Sequence, residues 1–207
     1  MKKTLLPILL FSLLMQTGYA QEVIRIGFVQ AGMLCGDASL APGILLNQNI
    51  STVSVPLSAE YYLDSRISIK ADIYLHVSSG MTSDSLTLIS NHQLFTGLAY
   101  HFRTKGYFDP YVGFQPGVSY AQIKSDSKTE SLLLNAPDLT YHANLVPVAA
   151  ISLGFRYFFP RYFHIFIEAR YVHGTLIGDR PTVGSFPLDE LKMQFGLGWN
   201  IRTKKSS

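Results

Sequence analysis

Ile67-Ser-Ile-Lys-Ala-Asp-Ile-Tyr-Leu-His-Val77 decides the fold of this chain. Ile67, Ile69, Ala71, Ile73, Leu75 and Val77 alternate with Ser68, Lys70, Asp72, Tyr74 and His76. Successive side chains of a strand point to opposite faces, so the stretch has one continuous apolar face and one polar, charged face. At about ten residues it is long for a globular strand and the right length to cross a bilayer at a tilt.

The same alternation recurs downstream and predicts eight strands. The first runs from Val23 to Met33, with Ile24, Ile26 and Phe28 opposite Arg25 and Gly27, and a Gly- and Pro-containing loop, Leu34 to Asn49, follows. The second is Ile50 to Tyr62, joined to the third by the turn Leu63-Asp64-Ser65. Then come Leu86 to Arg103, Tyr111 to Lys124, Asn144 to Phe159, His164 to Gly174 and Leu188 to Arg202. Their connections alternate long and short, as in outer-membrane barrels with long outer loops and short periplasmic turns. An even strand number brings both ends to the periplasmic side.

The N-terminus carries the matching address. Lys2 and Lys3 precede an apolar core, Leu5 to Met15, and Gly18-Tyr19-Ala20 supplies small residues before a cut. This is the pattern of an export signal over 1–20, leaving a mature barrel domain over 21–207. No other run approaches a transmembrane helix, so any membrane span must be a closed barrel, where no sheet edge leaves backbone groups unsatisfied.

Charged residues make up 15% of the chain, below the roughly 25–35% of a solvated surface, and aromatics reach 13%. The net charge of +3 includes no basic cluster dense enough for nucleic acid. Cys35, the single cysteine, cannot form an intramolecular disulfide and reads as a small buried or loop-facing residue.

A soluble barrel has the same period with its faces reversed. Three patterns favour the membrane form. Glycines 27, 97, 113, 117, 154, 196 and 198 share the polar face, where a crowded interior rewards absent side chains. That face carries both signs of charge. Aromatics gather at one set of strand ends as an expected girdle: Tyr61, Tyr62, Tyr100, Phe102, Tyr107, Phe108, Tyr111, Tyr157, Phe158, Phe159, Tyr162, Phe163 and Trp199.

Asp109-Pro-Tyr-Val-Gly-Phe-Gln-Pro-Gly117 and the run from Leu153-Gly-Phe-Arg-Tyr157 through Glu168-Ala-Arg-Tyr171 resemble segments of the small outer-membrane β-barrel family, the porin-like, outer-membrane-protein-A-like group of about eight strands. Gln115 and Pro116 depart from its glycine-rich strand. No peptidoglycan-binding domain follows strand eight, and the chain ends in Arg202-Thr-Lys-Lys-Ser-Ser207 rather than on an aromatic. The resemblance implies an all-β, closed eight-stranded antiparallel transmembrane barrel and says little about activity.

Inside such a barrel, Arg25, Lys70, Asp72, Arg156, Glu168, Arg170, Glu190 and Lys192 are expected to form a structural charge network, because buried charges must be paired. A lipid A-modifying enzyme would need an oriented His–Ser pair. His76 with Ser78, His92 with Ser90, and His142 or His173 supply only parts of one. His164 and His173 lie too far apart along one strand to chelate a metal together.

The expectation is therefore an exported, monomeric outer-membrane barrel without catalytic, cofactor or metal residues. Its partners would be outer-membrane lipid, the barrel-assembly machinery during biogenesis, and an extracellular ligand or protein met through the outer loops. The alternatives are a narrow ion or small-solute channel, a lipid A-modifying enzyme, and a soluble periplasmic barrel.

Overall fold

In the computed structural model, the described residues are 28–80, 86–102, 106–125, 139–140, 144–159, 162–176 and 186–202. The expected export signal and Arg25 lie outside them. Among the described residues, ten strands form one antiparallel system: β1 Met33–Leu45, β2 Ile50–Tyr62, β3 Ile67–Ser79, β4 Leu86–His101, β5 Phe108–Ser125, β6 Leu139–Thr140, β7 Asn144–Phe158, β8 Phe163–Leu176, β9 Phe186–Pro187 and β10 Glu190–Arg202. Eight are long. β6 and β9 are two-residue extensions on β5 and β8. Each long strand pairs with the next, and β10 returns to pair with β1 from Met33↔Arg202 to Leu45↔Glu190. That pairing closes the barrel.

The strand limits match the alternation closely except at the start. β1 begins where the expected first strand ends, and most of the expected loop, Leu34 to Asn49, is strand. Gly36, Asp37, Pro42 and Gly43 are turn-forming residues by local preference, which is why this segment reads as a loop. The barrel overrides that preference. The Trp199 indole lies where a Cβ on Gly36 would sit, and the register to β10 skips Ala41 and Pro42, where proline has no N–H to give. The first connection shrinks to 46–49, with Asn49 at φ 54°, so the regular long–short alternation fails there. Residues 28–32 are not strand. Phe28 and Val29 instead pack beneath the barrel on Met33, Cys35, Tyr62 and Phe158.

At the end holding Met33 and Arg202, called the near end, the connections are short in sequence. Asp64 Oδ1 accepts the Arg66 and Ile67 N–H groups at 2.5 and 2.8 Å and shapes the β2–β3 turn. Between β4 and β5 the backbones approach so closely that a Cβ on Gly97 would strike the Phe114 carbonyl. The far end carries the β1–β2, β3–β4, β5–β7 and β8–β10 connections.

The faces are sorted by alternation. Leu57, Ile73, Leu94, Leu98, Phe114, Ile151, Leu153, Phe195 and Leu197 point outward, while Lys70, Asp72, Glu168, Arg170, Glu190 and Lys192 are buried inside. Tyr62, Tyr111 and Phe158 depart from the expected girdle. All three are fully buried, because they sit on the inward parity of β2, β5 and β7. Tyr61, Tyr100, Phe102, Tyr107, Phe108, Tyr157, Phe159, Tyr162, Phe163 and Trp199 remain outside around the near end.

Large apolar side chains are exposed on every long strand, whereas soluble monomers rarely expose contiguous apolar patches beyond a few hundred Å². Leu94, mid-strand in β4 and 49% exposed, tests the solvent of this outward face. Leu94→Arg is expected to cost about 2–4 kcal/mol, read from the denaturant midpoint of protein folded into liposomes. An unchanged midpoint would mean that this face meets water.

Candidate functional site

The candidate site is the barrel interior, where the inward residues stack in layers. The far end is capped by an apolar cluster that includes Leu45, Ile50, Leu88, Val146, Val172 and Leu188. Below it, the Glu190 carboxylate accepts from Thr52 at 2.5 Å and from Asn91 and Gln93 at 3.1 Å, with Lys192 Nζ at 3.2 Å. Lys192 also donates to Gln93 Oε1 at 3.0 Å and lies 4.6 Å from the Tyr74 ring centroid.

The middle layer is a four-charge ring. Lys70 Nζ is 2.6 Å from Glu168, Arg170 is 2.5 Å from Asp72 and 3.0 Å from Glu168, and a longer contact of 3.8 Å joins Lys70 to Asp72. Two cations face two anions, so the layer is neutral. Tyr111 and Gln194 each donate to Glu168 at 2.7 Å and complete its hydrogen bonding. Such pairing offsets the desolvation that would otherwise forbid charge here.

The near layer differs in composition. Asp37, Glu60 and Asp109 meet one guanidinium, Arg156, and two imidazoles, His101 and His164. Arg156 reaches Asp37 at 3.0 Å, touches Glu60, and donates to the Tyr62 hydroxyl at 2.8 Å. Tyr62 in turn donates to Asp109 at 2.9 Å. His164 Nε2 lies 2.6 Å from Asp37, and both fit only because Gly198 has no Cβ to run into them. Beneath this layer the Met33, Cys35, Tyr62 and Phe158 cluster closes the near end.

All the expected network residues outside 1–27 thus point inward, but they fall in three separate layers. Arg156 belongs to the near one. Sequence reasoning missed Asp37, because its segment read as a loop, and it gave His101, Asp109 and His164 no role. Their signal was parity: each sits on the inward face of its strand.

Ser68 Oγ, His101 Nε2, His101 Nδ1 and Asp109 lie in the order of a hydrolase triad, at 2.9 and 3.0 Å. The chemistry does not follow. Ser68 gives its proton to Glu60, which also stands 3.0 Å from Nε2. Ser68 and His101 are 0% exposed, leaving no approach for a substrate carbonyl. The pairs weighed from sequence do not assemble either. His76 donates its backbone N–H to His92 Nδ1 at 3.2 Å, and exposed His173 contacts Asp189 at 2.6 Å. His142 lies outside the described residues. His164 faces the interior and His173 the outside, and among the described residues no three His, Cys, Asp or Glu side chains are grouped to hold a metal.

Against known structures the whole barrel finds counterparts. Outer membrane protein OprG of Pseudomonas aeruginosa superposes with a TM-score of 0.58 at 16% identity, covering 84% of this chain and 98% of that one. This chain has the fold of the small outer-membrane β-barrels. The N-terminal β-barrel domain of P. aeruginosa OprF gives a TM-score of 0.55 at 14% identity, over 83% and 98% of the two chains. Neisserial surface protein A gives 0.54 at 14% identity, over 82% and 96%. No protein-family profile matches the sequence, and no curated protein does. In a barrel of this fold an outward apolar face is the one suited to lipid.

The middle ring makes a measurable prediction. Lys70→Met strands Glu168 and Asp72 on one guanidinium and is expected to cost about 3–5 kcal/mol. Adding Glu168→Gln should recover part of that loss, so urea midpoints of the two single variants and the double variant should be non-additive.

Proposed function

We propose that this protein is an exported, monomeric, non-conducting outer-membrane barrel whose role is structural or lies in binding through its outer connections, without catalysis. In this reading residues 1–20 are a cleaved export signal, 21–207 form the mature barrel, and the near end faces the periplasm. The assembly machinery inserts it, lipid surrounds it, and the far rim meets an extracellular ligand or protein. Recognition belongs on connections carried by a rigid scaffold.

One observation carries the non-conducting part. Side chains occupy the described interior at every level, with apolar clusters at both ends and three hydrogen-bonded charge layers between them. An eight-stranded barrel is just wide enough for side chains to fill. Ions would have to break paired charges and also cross two apolar plugs. The outer-loop part rests on the connection 126–143, longer in sequence than any of the near-end turns.

Single-channel recording in planar bilayers tests this reading. Refolded protein with confirmed insertion is expected to be silent, as are Glu168→Gln and Lys192→Gln. Reproducible openings whose conductance changes in those variants would make it a narrow channel.

A further inference from the structure

The near layer holds three carboxylates against a single permanently charged cation, Arg156, which is engaged by Asp37 and Glu60. Lys70, the next cation inward, is committed to Glu168 and Asp72. His101 stands in the gap. Its Nε2 is 3.0 Å from Glu60 and its Nδ1 is 3.0 Å from Asp109. A neutral imidazole has one N–H and one bare lone pair. In either tautomer, and with the ring turned over, that lone pair would face a carboxylate oxygen at 3.0 Å; the Ser68 hydroxyl also stands 2.9 Å from Nε2, but its proton goes to Glu60.

Only a ring with both nitrogens protonated satisfies both neighbours. The remaining surroundings do not supply another proton for that position. Ser68 already donates to Glu60, and Tyr62 already donates to Asp109. Tyr111 donates to Glu168, and His164 serves Asp37 from across the barrel. Asn200 of β10 and Cys35 of β1 complete the buried residues at this end.

We propose that His101 is an imidazolium clasp holding Glu60 and Asp109 together, and that its proton keeps the near mouth shut. The connection to the mouth is Tyr62. Its hydroxyl links Asp109 to Arg156, its ring belongs to the cluster on which Phe28 and Val29 rest, and its carbonyl accepts the Gly32 N–H at 2.8 Å. Phe28 stacks on Phe158 at 4.9 Å, beneath Arg202. Removing the proton sets a lone pair against a carboxylate and loosens Tyr62, and with it the 28–32 segment. The stabilisation is complete in mild acid, where the folded ring is charged, and is lost as the pH rises and that proton leaves.

The test is a ¹⁵N spectrum of the histidine rings in full-length mature protein folded into nanodiscs, with His101 assigned from His101→Gln. At pH 7 both His101 nitrogens should show protonated shifts. One pyridine-like nitrogen, or a protonated Glu60 or Asp109 carboxyl beside a neutral ring, would overturn the proposal. Hydrogen exchange at the Gly32 amide, corrected for base catalysis, supplies a second readout. From pH 6 to 9 its protection should fall several-fold in wild type. It should stay flat in His101→Gln. If that variant does not fold, the wild-type ring spectrum still decides, and a flat wild-type exchange profile would refute the coupling to the mouth.

Discussion

Everything in this molecule depends on the seam between β1 and β10. An open sheet edge leaves a row of N–H and C=O groups without partners, and closing the curved sheet on itself removes that edge. The pairing from Met33↔Arg202 to Leu45↔Glu190 accomplishes this, and it recruits an unpromising segment to do so. Gly36, Pro42 and Gly43 have little strand preference of their own. Each is accommodated by a local feature of the seam: the Trp199 ring over Gly36, a lapse in register at Pro42, and the Lys192 and Leu191 atoms crowding Gly43.

Closure with eight long strands then dictates the interior. The space is too narrow for water at bulk density and too polar, by the parity of the strands, to be an oil drop. Charge survives there only in compensated sets. The far and middle layers balance with lysines and arginine, and amides and hydroxyls add hydrogen bonds to Glu190 and Glu168. The near layer is short of permanent cations, so imidazole must supply what guanidinium does not. The same packing that leaves no room for a substrate at Ser68 also turns a triad-like order of atoms into a structural clasp. Hydrogen-bond order alone does not make a catalytic site; the proton's destination and the space beside it decide.

In the proposed function the interior and the rim divide the work. A side-chain network committed to holding the wall together has few groups free to meet a solute. Variation without loss of the wall is possible at the far-end connections, which the seam and the layers do not need.

The alternation of Ile67 to Val77 and its repeats was enough to place seven of the eight long strands, to assign their faces, and to put Lys70, Asp72, Arg156, Glu168, Arg170, Glu190 and Lys192 inside. A period of two is a local property, and each strand carries it independently of its neighbours. Partnership is not local. β1 is a strand because β10 and β2 flank it. Tyr62, Tyr111 and Phe158 leave the girdle because parity, not aromatic character, sets their direction. Asp37, Glu60, Asp109, His101 and Arg156 come from five strands, up to 119 residues apart, and only the stagger of the closed barrel brings them to one level.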